Sequence, residues 1–403
     1  EFDFGSMKRI FILPKSESFN KDIIVISALW LVCATVIFFY KWESVSALNL
    51  NDNDDYMRFV QFQEWMKNGH WYLEPMSNFN AADGIIIHWS RFPDLILSLV
   101  AFPLLFMVDD SIAYAISISI VPLLYLFLYA LSCFYLCEHY FGEKYRFVSM
   151  MFAVFSPAII HFLPGSIDHH NIQLVLATLF LSITPITFNN LKQAWRVYAQ
   201  SVFLSLSLWT GVDNVLLFMA FLVSYTVYFC FFCREWFSYI SRLYLTCAVF
   251  GAFAVLLNRP YDEFFIFKYD EVSFILVMLF FSGWTFVNLY NRLSNQKQSS
   301  TQKLILLLSL SLLCLAPVAV LYPSLTSAFL IDYPPILKLY WLDQVAEAKS
   351  VATYIAMNGF LSLDNYVLLL TPAILYPLFR YKNHHCTILY LILMFNLVLA
   401  VFW

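Results

Sequence analysis

At 403 residues, 61% hydrophobic and 12% charged, with a mean hydropathy of +0.70 and a formal net charge of −4, the chain lies outside the range of soluble domains. Those run about 45–50% apolar and about 25% charged. The balance excludes a soluble enzyme, and the lack of any basic block excludes a nucleic-acid partner, leaving an all-α polytopic membrane protein read as one transmembrane domain over residues 1–403.

The six residues EFDFGS before Met7 read as an expression scar, and no cleavable signal peptide is evident. Lys8, Arg9, Lys15 and Lys21 precede a first span, Asp22 to Tyr40, which is long enough to cross roughly 30 Å of hydrocarbon. Their charge places the amino terminus in the cytoplasm and the following loop outside.

That loop, residues 51–110, is the most polar stretch of the chain. It opens on Asp52, Asp54 and Asp55, a self-repelling cluster that calls for a cation, a base role or open water. Tyr56, Phe59, Val60, Phe62 and Met66 then fit a helix lying in the interface, with Arg58 one turn after the acids. The competing reading makes Asp54 an N-cap with solvated neighbours. The loop closes on His88 and Arg91 within HWSR, where a cation, a donor and an aromatic meet. Arg91 suits a phosphate contact or, alternatively, an interfacial anchor. The run Phe92 to Val108 contains Pro93 and Pro103 and is bounded by Asp94, Asp109 and Asp110, so it is expected to lie in the interface without crossing.

The spans expected after it are Ser111–Cys137, Phe147–Leu163, Ile172–Phe188, Val197–Trp209, Val212–Phe232, Leu243–Leu257, Val272–Leu289, Leu304–Leu321, Tyr366–Leu378 and Thr387–Trp403. With the first they make 11, and every loop assigned to the cytoplasm carries lysine or arginine.

Two further external stretches carry chemistry. Gly165–Ser166–Ile167–Asp168–His169–His170 places a carboxylate and imidazoles where they can share a divalent cation, or where Asp168 merely caps a helix. In the late loop, residues 322–364, Asp343 and Glu347 share a helical face, which an amphipathic surface helix would also produce. Arg259 and Lys268 flank another external loop and add candidate anion contacts. The eight cysteines, including Cys230 and Cys233 in a CxxC, read as ordinary thiols, since no second pair or nearby histidine completes a zinc site.

With these loops in hand, the chain resembles the membrane-embedded C-type glycosyltransferases (GT-C fold) that use polyprenyl-phosphate-linked donors, and most of all the oligosaccharyltransferase catalytic subunit. Asp54–Asp55–Tyr56 resembles the aspartate and aromatic of that family's first external loop. The resemblance gives Asp54 the catalytic role, with Asp55 as its rival. Gly165 to His170 resembles the family's second motif, glycine, two residues and Asp-x-Asp, with His170 where the second aspartate would stand. The resemblance therefore implies a metal held by Asp168, His170 and Glu347, either Mg²⁺ or Mn²⁺, with imidazole the poorer match to Mg²⁺. Arg58, His88, Arg91, His169, Arg259 and Tyr56 are the residues expected around the substrate and its phosphate.

The implied activity is transfer of a sugar from a polyprenyl-phosphate donor to a lipid, glycan or protein acceptor, of EC 2.4 type. DDYMR followed by HWSR is similar to bacterial members of the superfamily, so the expected location is the bacterial inner membrane, with the site facing the periplasm. The sequence given carries no counterpart of that family's large luminal domain, so the expectation is either a smaller relative passing a single sugar, which is preferred, or a chain whose tail is missing. The alternatives are en bloc transfer of an oligosaccharide and, outside catalysis, transport of a lipid-linked substrate.

Overall fold

The computed structural model of the chain describes residues 17–323 apart from 78, 80, 81, 187 and 296, together with 334–337, 339–340, 350, 352–353, 356 and 387–395. Among the described residues the regular elements are helical, and the extended backbone pairs only at an isolated bridge between Met76 and Ile85. The helices that matter below are α1 (Glu17–Ser46), α2 (Asn53–Asn68), α3 (Arg91–Leu104), α4 (Asp110–Phe141), α5 (Arg146–Val154), α6 (His170–Ser182), α7 (Ala194–Thr210), α8 (Val215–Phe231), α9 (Phe237–Asn258), α10 (Phe274–Leu293) and α11 (Ser300–Leu321).

Five of the described helices are long and apolar enough to cross a membrane: Lys21–Ser46, Asp110–Phe141, Arg234–Asn258, Phe274–Leu293 and Ser300–Leu321. This corrects the expectation of 11 spans, and the reason lies at particular residues. Phe147–Leu163 is not one helix. Ser156, extended at ψ 166°, precedes Pro157, whose ring removes a donor, so the segment divides into α5 and a 3-10 turn over Pro157–Phe162. Ile172–Phe188 stops early, because α6 ends at Ser182 ahead of Thr184–Pro185; its 13 residues rise about 20 Å. The 17 residues of α7 bury Gln200, Ser201, Ser205 and Ser207, a polar face suited to packing against protein. Tyr366–Leu378 lies outside the described residues, and of Thr387–Trp403 only 387–395, which is helical, lies within them.

Phe92–Val108 is short, as expected from its prolines: α3 spans 14 residues and ends just after Pro103. The helix of the first polar loop differs from expectation. It starts at Asn53, capped by Asp52, whose Oδ1 accepts from the Asp54 amide at 3.3 Å. Its buried face is therefore Asp55, Arg58, Phe59, Gln61 and Phe62, while Tyr56 is exposed.

The contacts divide into two compact units. The first, residues 1–212 with 250–264 and 270–272, contains α1 to α7. Its core joins Val45 near the end of α1 and Leu50 just after it to Phe59 and Phe62 of α2, Leu97 of α3, Tyr114 to Tyr129 of α4, Ile167 in the turn before α6 and Ile172 within α6. Phe59 and Phe62 both meet the Tyr114 ring edge-on, at 6.2 and 5.6 Å. Burying each such phenyl stabilises by roughly 1.5–3 kcal/mol, which anchors α2 on α4. At another edge Arg146 bridges Asp22 of α1 at 2.7 Å and Glu138 of α4 at 3.1 Å.

In the second unit, residues 213–249, 265–269 and 273–403, Tyr290 of α10 donates to the Cys230 carbonyl of α8 at 3.1 Å. Gly283 lets α10 approach the Tyr244 ring where any Cβ would clash.

Candidate functional site

The site is built where the segment joining α1 to α2 meets the turn before α6, both in the first unit. After α1 the chain turns at Leu48, which adopts a left-handed φ of 56°, a costly conformation for a γ-branched residue. Asn51 follows, and its Nδ2 donates to the Pro164 carbonyl and to Ser166 Oγ, both at 3.0 Å, while Lys41 Nζ donates to its Oδ1 at 3.1 Å. Gly165 has φ +88°, and a Cβ there would sit 3.3 Å from Asn51 Nδ2 and from Val45 Cγ2. Glycine thus permits both the turn and the close approach. Asn171 closes the turn from inside by donating to the His161 and Ser166 carbonyls at 3.1 and 2.9 Å.

Asp55, three residues into α2, completes the junction. Its Oδ1 accepts the Ile167 amide at 2.7 Å and the Asp168 amide at 2.9 Å. The residue is 2% exposed, and burial pushes its carboxyl up to about 7 against the pull of those two amides, with the charges of Asp168 and Asp52 adding to the rise. Its Oδ2 makes no hydrogen bond among the described residues.

Asp168 differs. Burial alone would raise it, but the His169 hydrogen bond and the charges of His169, His170 and Arg58 hold it well below the usual carboxylate range. His169 Nδ1 lies 2.6 Å from its Oδ1 and His170 Nε2 3.2 Å from its Oδ2. The two imidazoles are 4.6 Å apart between centroids, His161 stands 5.2 Å from His170, and Trp89 stands 6.1 Å from His169.

Ligand atoms of Asp168, His169 and His170 all lie within 4.8 Å of one another. One carboxylate and two imidazoles fit the donor preferences of Mn²⁺ or Zn²⁺ and match Mg²⁺ poorly. In the present arrangement ring nitrogens face the carboxylate as hydrogen-bond partners, so binding a cation would release protons. The set differs from the expected Asp168, His170 and Glu347: His169 is brought in, and Glu347 lies outside the described residues with Asp343.

The other expected residues are placed as follows. Asp54 sits beside Asp55 in the first turn of α2, and it is Asp55 whose carboxylate accepts the Ile167 and Asp168 amides. Tyr56 accepts the Leu50 amide at 3.0 Å and so belongs to the turn. Arg58 is fully buried: its Nη1 donates to the Ser90 carbonyl at 2.9 Å and lies 3.6 Å from Asp94 Oδ1, with the guanidinium 4.9 Å from the Trp89 ring centre. Arg91 pairs with Asp94 Oδ2 at 3.2 Å. His88 faces Asp270 at 3.4 Å. Arg259, buried as well, donates to Glu271 at 3.2 Å and to the Val272 carbonyl at 2.9 Å, which ties its own loop together.

Asn51 and Asp94 are participants to which sequence reasoning gave no role in the site, whereas Trp89 is the aromatic of the HWSR run. For Asp94 the available signal was its spacing from Arg91, three residues along a helix.

No family model and no curated protein matches the chain. Among solved structures it is similar to an oligosaccharyltransferase from Archaeoglobus fulgidus determined in complex with zinc and sulfate. The two share 15% identity and a TM-score of 0.49 over 92% of this chain and 48% of that one. The chain thus spans about half the length of the archaeal protein.

Proposed function

We propose that this protein is a membrane-embedded glycosyltransferase of the C-type architecture, taking a sugar from a polyprenyl-phosphate-linked donor and passing it to a lipid, glycan or protein acceptor at the non-cytoplasmic face. The observation that carries the reading is Asp55, pinned by the Ile167 and Asp168 amides beside the Asp168–His169–His170 cluster. A carboxyl raised to about 7 and fixed through one oxygen is suited to general-base work at neutral pH, because its second oxygen is both basic and oriented. The base role therefore goes to Asp55 in place of Asp54.

In the proposed step Asp55 Oδ2 removes the proton of the acceptor nucleophile as that atom bonds to the anomeric carbon. The bond from that carbon to the phosphate oxygen breaks, and polyprenyl phosphate leaves with the electron pair. A single displacement inverts the anomeric centre. A divalent cation held by Asp168, His169 and His170 would supply positive charge toward the departing phosphate. En bloc transfer of a preassembled oligosaccharide uses the same cluster and differs in the mass of the unit moved.

The test is mass spectrometry of lipids copurifying with the full chain, followed by transfer assays with the lipid found. A polyprenyl phosphate or its glycan conjugate, consumed as a glycosylated acceptor appears, supports the reading, and the product's mass gain reports one sugar or many. A preparation that retains other lipids, holds no polyprenyl species and transfers nothing from added donor would refute it.

A further inference from the structure

Two arginines converge on a single buried carboxylate in the first unit. Asp94 is fully buried, Arg58 and Arg91 both pair with it, and Gln61 Nε2 donates to its Oδ2 at 3.3 Å. With two guanidiniums to one carboxylate this hub carries a net positive charge. Desolvating three ionised groups costs more than one pair returns, so stability alone is a poor reason for the arrangement.

The two arginines are not equivalent. Arg58 keeps Nε and Nη2 unpartnered but sealed from solvent. Arg91 is 8% exposed and is fixed on two of its three nitrogens. Its Nε donates to the Trp71 carbonyl at 3.3 Å, and its Nη1 donates to the Gln61 carbonyl at 3.3 Å and to Asp94 at 3.2 Å. Its Nη2 has no partner among the described residues and, unlike the orphan nitrogens of Arg58, is not sealed. The guanidinium lies 5.9 Å from the Trp65 ring centre. Arg91 also opens α3, a helix of 14 residues whose N-cap Ser90 makes no side-chain cap.

We propose that Arg91 Nη2 is the anchor of a subsite for a phosphate monoester, and that Asp94 is the positioning residue that holds Arg91 for it. This rests on the glycosyltransferase reading for the identity of the ligand, the phosphate of a polyprenyl carrier. Asp94 touches no substrate; it fixes the guanidinium plane and leaves one edge outward. A rigid fork loses little freedom on binding, which is why its orientation matters more than its charge.

The test measures binding of farnesyl phosphate in detergent to the full chain, to Arg91→Lys, to Asp94→Asn and to the double variant, with inorganic phosphate as a second probe and thermal melts alongside. One charge-assisted hydrogen bond corresponds to roughly tenfold or more in affinity. Arg91→Lys, which keeps the charge and loses the fork, is expected to bind farnesyl phosphate about tenfold more weakly while still melting cooperatively as a folded protein, a few degrees lower. Asp94→Asn is expected to weaken binding similarly, and the double variant no further than the weaker single. If Asp94→Asn does not fold, Arg91→Lys decides the subsite and Asp94→Glu, expected to restore binding in part, decides the positioning role. Farnesyl phosphate binding at least tenfold tighter than inorganic phosphate assigns the lipid head group, and equal binding assigns free phosphate to the same site. No binding by the parent, or binding by folded Arg91→Lys within threefold of it, overturns the proposal, and strict additivity removes Asp94. A parent that transfers sugar while Arg91→Lys binds normally sinks this inference alone. A parent that binds through Arg91 but transfers nothing sinks the transferase reading alone.

Discussion

Asp55 and Asp168 are 113 residues apart in sequence, yet the carboxylate of the first holds the backbone amide of the second at 2.9 Å. The acid thought to act and the acid thought to bind a cation are thus parts of one hydrogen-bonded junction, and substitutions on either side of it make distinct predictions.

Asp55→Asn preserves an oxygen that accepts from the Ile167 and Asp168 amides but cannot take a proton. Transfer is expected to fall by roughly 10²–10⁴-fold with the fold retained, and Asp54→Asn to lose at least tenfold less. Comparing kcat for the two purified variants at matched melting temperatures checks this.

Asp55 also predicts a pH dependence. Its carboxyl is raised from 3.8 to about 7, so the folded state favours the protonated form. The stabilisation is complete below the unfolded value and is lost as pH rises through 7. In chelator, the melting temperature of the parent is expected to drop between about pH 4 and 7 more steeply than that of Asp55→Asn, and to level off above the folded value. A carboxyl band titrating near 7 by infrared spectroscopy, absent from the variant, is the direct readout.

The Asp168–His169–His170 set predicts selectivity among cations. Equilibrium dialysis with metal analysis is expected to find Mn²⁺ or Zn²⁺ retained over Mg²⁺. His170→Ala is expected to lose at least the roughly 10–100-fold in affinity that disturbing even a ligand's partner costs. Equal affinity in His170→Ala would remove that histidine from the set.

Gly165→Ala tests the turn. A residue with a Cβ at φ +88° is strained by about 1–2 kcal/mol, and this Cβ also crowds Asn51 and Val45. The variant is expected to melt several degrees lower and to bind the cation more weakly, because the turn that presents Asp168 is displaced.

The all-helical character and the two polar motifs were legible because composition and charge clusters are local properties. The number of spans was not. Phe147–Leu163 is as apolar as a crossing helix, and only Ser156 ahead of Pro157 marks the break. Asp94 looked like the boundary of an interfacial run, since nothing in a linear reading places Arg58, 36 positions earlier, against it. Arg58 and Arg259 were read as anion contacts from their charge, whereas burial commits each to a carboxylate of the chain itself. Choosing Asp55 over Asp54 required the phase of α2, and the position of the cap sets that phase.

The cap at Asp52 therefore governs more than one end of a helix. Each residue turns an α-helix by about 100°, so starting α2 one position later would swing Asp55 away from the Ile167 and Asp168 amides and Arg58 away from Asp94. A one-residue insertion between Asn49 and Asn53 would leave every reactive group in the chain yet aim them past one another. The length of this short joint is under tighter geometric constraint than the chemistry of most of its residues.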